Sequence, residues 1–289
     1  MNLKIRTLHT SDLDAANEII VAAFQSSRDY RDDLRLYLAH APDGWYLAEW
    51  EDRPAGLVGV TNYGPLAYVG FMAVHPNFHR KGIGEAMMIR ALAEMETRGC
   101  SVALLDASAM GEPMYRKLGF VDDGKSTQYL LGESVRNPAD FPSIDLGGAI
   151  IRLMQPTDLP KLVHFDTPIF GASRERLFSL LIQAIPDRSF LAEDSAGQIV
   201  GYIFSQTLRI GPFVALNPQV AEALLQGALS VPVAGRVSFI APVINSYAQD
   251  LAMRYGFEHF RTMPHMRYGG NAHPGQRELI YSLMSFTVG

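Results

Sequence analysis

Apolar and polar positions alternate along this chain with two periods. Leu3 to Leu8 alternates as a short strand. Behind a Thr10-Ser11 start, Leu13, Ala16, Ile19, Ile20 and Ala23 then recur at helical spacing. A second short helix is predicted near Arg31 to Ala39. Strands follow at Trp45 to Glu51 and Leu57 to Asn62, parted by the turn Asp52-Arg53-Pro54. Tyr68 to Val74 is apolar throughout, as a buried strand is. Ile83, Met87, Ala91 and Met95 then return every fourth residue in a long helix that stops near Arg98-Gly99. Val102 to Asp106 is a fifth strand. Met110 to Leu118 is a short helix with Pro113 in its early turns, and Gly119-Phe120 leads into a last strand ending near Tyr129 to Leu131. Residues 133–148, with Asn137-Pro138, Phe141-Pro142 and Gly147-Gly148, lose this periodicity and read as a linker.

Beyond the linker the pattern repeats. Ile5-Arg6 with Asp12-Leu13 recurs as Ile151-Arg152 with Asp158-Leu159, and Tyr46-Leu-Ala-Glu49 as Phe190-Leu-Ala-Glu193. Phe71-Met-Ala-Val-His-Pro76 recurs as Phe213-Val-Ala-Leu-Asn-Pro218, and Gly119-Phe120 as Gly256-Phe257. The expected architecture is therefore a duplicated α/β fold, each copy a mixed sheet flanked by helices, over residues 1–132 and 149–289. Pro76 matches Pro218 at an offset of 142, but Glu85 matches Glu222 at an offset of 137, so the second copy lacks five residues. They fall between strand and long helix.

In the first copy that place holds a basic turn, His75 to Lys81, and then Gly82-Ile83-Gly84 opening the helix. A strand turning through glycines into a helix aims several backbone N–H groups at one point, and the helix dipole adds positive potential there. Arg80 and Lys81 add full charges. An anion such as a pyrophosphate suits such a turn. The spacing is not that of a Walker loop, and Met87 stands where the dinucleotide fingerprint needs its third glycine.

The turn resembles the Gln/Arg-x-x-Gly-x-Gly/Ala loop of the GCN5-related N-acetyltransferase (GNAT) family, departing from it at His79. The resemblance covers nearly the whole chain, as a tandem whose second copy is degenerate. It implies that His79, Arg80, Lys81, Gly82, Ile83, Gly84 and Glu85 hold the pyrophosphate of acetyl-CoA, in the first copy alone. It implies that backbone groups of Met72, Ala73 and Val74 meet the thioester oxygen, and that the pantetheine lies where this strand parts from Val102 to Asp106. Tyr115, before Gly119-Phe120, matches the family's proton donor; a phenol is neutral at pH 7 yet acidic enough to reprotonate a thiolate. The second copy has Ala252 there. For a general base the candidates are Asp106, at a strand end, and Glu49. Asp166 and Arg174 flank the turn Phe170-Gly171 and either take part in recognising the acceptor or form an ion pair that pins the loop.

Composition narrows the partners. The 289 residues carry a net charge of −5, which gives no broad nucleic-acid surface, and the basic turn is a local exception suited to a small anion. The single cysteine, Cys100, excludes an internal disulfide and reads as a core residue, which suits a cytoplasmic protein. No run is long enough to span a membrane, and no Cys/His spacing calls for a metal. The expected activity is transfer of an acetyl group from acetyl-CoA to a small-molecule amine by direct attack in a ternary complex, in a monomer or homodimer. The alternative is a non-catalytic acyl-CoA-binding or sensing module.

Overall fold

A computed structural model describes residues 2–132, 141–232 and 235–289. Residues 133–140, half of the expected linker, lie outside the described residues. The first copy contributes β1 (Leu3–Thr7), α1 (Leu13–Phe24), α2 (Arg31–His40), β2 (Trp45–Trp50), β3 (Arg53–Asn62), β4 (Leu66–Val74), α3 (Ile83–Thr97), β5 (Val102–Asp106), α4 (Glu112–Lys117) and β6 (Val121–Leu131). The second contributes β7 (Ile150–Leu153), α5 (Leu159–Phe170), α6 (Glu175–Ala184), β8 (Ser189–Glu193), β9 (Ile199–Gln206), β10 (Arg209–Ala215), α7 (Pro218–Leu229), β11 (Ser238–Pro242), α8 (Ser246–Arg254), β12 (Phe257–Tyr268) and β13 (Ile280–Ser282).

The repeat seen in the sequence is a repeat of interactions. Arg6 holds Asp12 through two bonds of 2.8 and 2.9 Å and Glu49 at 2.9 Å. Arg152 holds Asp158 at 2.7 and 2.8 Å and Glu193 at 2.9 Å in the same way. In both copies the aspartate also accepts a backbone N–H three residues earlier, from His9 or Gln155. Asp12, rather than Thr10 or Ser11, therefore fastens the start of α1. Glu49 is thus paired with Arg6 as part of this fastening.

The two copies share one sheet. All strands join one mixed sheet in the order β1-β2-β3-β4-β5-β12-β6-β11-β10-β9-β8-β7, with β13 attached to β10. Each copy thus gives its longest strand to the other: β12 pairs with β5, Asp106 facing His265, and β6 pairs with β11. The division at 133–148 is a division of sequence, not of sheet. On one face of the sheet α1, α2, α5 and α6 share a single core running from Leu8 and Trp45 to Phe178 and Met284. On the other face α3 buries Ile83, Met87, Ala91 and Met95, the positions set by its periodicity, together with Met88 and Leu92. Cys100 is buried in the same layer. Among the described residues no helix is long and apolar enough to cross a membrane.

Candidate functional site

β4 and β5 run parallel and pair only over Leu66–Val102, Ala67–Ala103 and Tyr68–Leu104. Beyond Tyr68 they part. On its other side β4 pairs with β3, but the register slips between Gly59–Gly70 and Leu57–Ala73, which marks a bulge at Phe71 and Met72. Phe71 takes the left-handed conformation, φ 44°, which costs a residue with a Cβ about 1–2 kcal/mol. Its ring is wedged among Phe24, Tyr30, Tyr37 and Trp45, whose packing holds that backbone in place. Gly70 has to be glycine: a Cβ there would lie 2.3 Å from the Thr287 Cα of the C-terminal segment.

The parting opens a cavity of about 660 Å³. Val69, Gly70, Phe71 and Met72 line one side near the gap, and Leu105, Ser108 and Tyr115 the other. It continues inward between the two copies, past Tyr30 and Tyr37 of the first and Arg209, Ser238 and the segment Met284–Thr287 of the second. A more open hollow of about 880 Å³, around His40, Arg98 and Arg176, contains none of the candidate residues.

At the outer end of β4, Arg80 and Gly82 both take positive φ, 60° and 74°, and α3 starts at Ile83. The first helical bond runs from the Ala86 N–H to the Gly82 carbonyl at 3.0 Å, so the N–H groups of the first turn have no intrahelical acceptor. No side chain caps them. His79 folds back, its Nε2 lying 2.9 Å from the Val74 carbonyl oxygen, which ties the turn to the strand end. Lys81 sits over the Trp50 ring at 4.8 Å, and Glu85 pairs with Lys117 at 2.6 Å. Arg80, Lys81 and Gly82 are exposed. The result is an open nest of donors with positive charge beside it, able to hold a phosphate group.

Tyr115, from α4, is buried against Phe120, and its hydroxyl makes no hydrogen bond among the described residues. Burial pushes its pKa well above the ordinary 10.0, so it stays a neutral donor at physiological pH. Asp106 differs from expectation. Its side chain is fully buried; the Tyr68 hydroxyl donates to one oxygen and His265 Nδ1 lies 3.2 Å from the other. Burial would raise its pKa, but His265, Arg277 and Tyr68 outweigh that and hold it below 3.8. Burial lowers His265. Asp106 is thus a buried carboxylate with both oxygens engaged, an arrangement that disfavours direct acceptance of a proton.

Asp166 and Arg174 line neither cavity. Their side chains are 0% and 1% exposed and form two bonds, of 2.9 and 2.6 Å. Tyr202 donates to the same carboxylate at 2.6 Å, and the guanidinium lies 4.1 Å from the Phe170 ring. Of the two readings of this pair, the structure favours the one that pins the loop, because no surface is left for an acceptor.

Two groups escaped the sequence reading. One is the polar lining contributed by the second copy, above all Arg209 and Arg261. The other is Asp123, His265 and His273, whose ligand atoms lie within 4.8 Å of one another. Here Arg267 already stands 3.5 Å from Asp123, so a cation would meet a guanidinium beside the carboxylate. No spacing signals either group, because both are assembled by strand exchange.

Residues 12–120 match the model of the "Acetyltransferase (GNAT) family" and residues 162–282 that of an "Acetyltransferase (GNAT) domain". The chain is similar to a holothin acyltransferase of Pseudoalteromonas sp. (strain SANK 73390), 26% identical over 86% of this chain and 82% of that protein. A putative acetyltransferase from Pyrococcus horikoshii has the same fold, with a TM-score of 0.84 at 24% identity over 99% of this chain and 96% of its own. A tandem GNAT protein from the clavulanic acid biosynthesis pathway superposes with a TM-score of 0.62 at 15% identity, covering 94% of this chain and all (100%) of its own.

Proposed function

The chain belongs to the GNAT acetyltransferases, with two such domains in tandem, and from that premise we propose that its first copy alone moves an acetyl group from acetyl-CoA to the amine of a small molecule. The observation that carries this reading is the parting of β4 from β5, with the bare amides of the α3 start following β4 in the chain and Tyr115 lining the gap. The residues fit the carrier. The amides of the turn, with Arg80 and Lys81, would hold its pyrophosphate, and the gap would take its pantetheine arm. Backbone donors at and just after the bulge, over Met72 to Val74, would meet the thioester oxygen.

The reaction then needs little more. A neutral amine held in the inner cavity attacks the thioester carbon, forming the C–N bond while the carbonyl electrons move to oxygen. Collapse expels the sulfur, which takes the Tyr115 proton, and the nitrogen loses its proton to solvent through the open cavity. Tyr115 is reprotonated from solvent. Asp106 acts as a fixed negative charge behind Tyr68, favouring the nitrogen while it is positive. The relative named as a holothin acyltransferase supports a small-molecule acceptor.

Incubation with acetyl-CoA and a panel of amines, with free thiol as the readout, tests the proposal. Amine-dependent thiol release that collapses in Tyr115→Phe is expected. Coenzyme A binding without any release would instead mark an acyl-CoA-binding module.

A further inference from the structure

We propose that the cavity carries an anion subsite centred on Arg261, on the exposed part of its lining, and that the acceptor carries a carboxylate besides its amine. This deepens, and rests on, the acetyl-transfer reading.

The charge lining the cavity is unbalanced. Arg28, Arg209, Arg236 and Arg261 face it, against Asp33 and Asp106. Both carboxylates are taken. Asp33 is shared between Arg28 and Arg209, the latter at 2.5 Å, while Arg209 also donates to the Tyr37 hydroxyl at 2.7 Å. Two guanidiniums thus share one carboxylate, and the Arg28 Nε is buried without a hydrogen-bond partner among the described residues. Asp106 is closed off by Tyr68 and His265.

Arg261 has no carboxylate partner among the described residues. Its Nε donates to Gln128 Oε1 at 2.8 Å, and Gln128 in turn donates to Ser238 at 2.8 Å. The guanidinium lies 5.3 Å from the Phe286 ring and 5.6 Å from that of Phe260. One edge is therefore fixed by a neutral chain of bonds and two rings, and the two terminal nitrogens are left without bonds among the described residues. The residue is exposed, and the partial shielding of its guanidinium lowers its pKa against the opposing fields of Tyr30 and Asp106. A guanidinium anchored through Nε on the exposed part of the cavity lining, with its fork free, is matched by a planar, bidentate anion, and a carboxylate is the one that fits. The same positive field repels polyamines and other cationic acceptors.

The subsite depends on the exchange of strands. Arg261 stands on β12, Gln128 on β6 and Ser238 on β11, so the cluster exists only because β12 and β6 lie side by side between the copies. An acceptor anchored there by its carboxylate shares the cavity with Met72 and Tyr115, toward which its amine has to reach.

The test uses the full chain saturated with coenzyme A and a panel of small, aliphatic and aromatic amino acids, each paired with its carboxamide. Binding is read by ligand-observed NMR and thiol release is measured in parallel with acetyl-CoA. A hydrogen-bonded charge pair predicts acids bound roughly ten- to a hundredfold more tightly than amides. Arg261→Gln should erase the difference, and Arg261→Lys should restore part of it, with coenzyme A affinity reporting that both variants are folded. Amides or diamines bound as well as acids, no acid bound at all, or a preference that survives Arg261→Gln would overturn the subsite. Thiol release with uncharged amines but not with acids would sink the subsite and leave acetyl transfer standing. Acids bound with no thiol release from any amine would do the reverse.

Discussion

The two copies part their central strands at the same place, and what fills the parting separates them. In the first copy β4 leaves β5 after Tyr68–Leu104; in the second β10 leaves β11 after Ile210–Phe239. The second opening is plugged. β13 pairs with β10 beyond the split, Ser282 Oγ accepts from the Ile240 N–H at 2.9 Å and donates to the Ile210 carbonyl at 2.7 Å, and the Leu283 N–H reaches the Ile240 carbonyl at 2.9 Å. The helix starts differ in the same sense. α3 begins with uncapped amides after glycine, whereas at α7 the Asn217 side chain accepts from the Val220 N–H at 2.9 Å. The loops between the first two helices complete the contrast. That of the first copy sends Arg28 and Tyr30 to the cavity, and that of the second is pinned by the buried Asp166–Arg174 pair. One fold thus becomes a site or a scaffold according to whether its backbone donors, strand gap and loop charge are satisfied internally.

The contrast can be broken at its firmest point first. Asp166→Ala leaves the Arg174 guanidinium buried without its carboxylate, and should cost about 3–5 kcal/mol in a denaturant melt, while the acceptor KM of the surviving folded protein stays unchanged. A raised KM with unchanged stability would return the pair to substrate recognition. Next, Tyr115→Phe should lower kcat roughly a hundredfold and leave coenzyme A affinity alone. Because burial raises the Tyr115 pKa, its protonated form persists past pH 10.0, so kcat/KM should show no alkaline fall below that value.

A smaller change makes the first copy imitate the second. Gly84 has room for a side chain, with Met114 Sδ 3.5 Å from a built Cβ. Gly84→Asp places a carboxylate against the bare amides, and coenzyme A affinity by calorimetry should fall roughly ten- to thirtyfold. The smallest effect serves as a control where the copies agree. Asp12 and Asp158 both titrate below 3.8, Arg6 and Arg152 being the first cause in each case. Their stabilisation is full above 3.8 and is lost as pH falls through the lowered folded value. Asp12→Asn and Asp158→Asn should each cost about 1 kcal/mol at pH 7 and converge with the wild type in acid.

Local features were legible in the sequence and pairing between the copies was not. The helical face of α3, the glycine turn, the short helix carrying Tyr115 and the five-residue loss all depend on neighbours within a few positions. The start of β3 at Arg53 rather than Leu57 is a boundary set by pairing with β2, where Glu51 and Asp52 take positive φ. The strand exchange could not be read, since β6 and β12 have equivalent patterns and either could complete either copy. With it went the burial of Asp106 against His265, the plug of β13 and the guanidiniums in the cavity. A charged residue on a strand end shows its side chain's type, but its partner is fixed by which strand lies alongside.

The structure of the chain with acetyl-CoA bound tests the central claim most directly. The account predicts one molecule per chain, its pyrophosphate on the amides of 80–85 and its pantetheine between β4 and β5. A molecule at the Asn217 end of α7, with β13 displaced from β10, or one bound away from both partings, would contradict it.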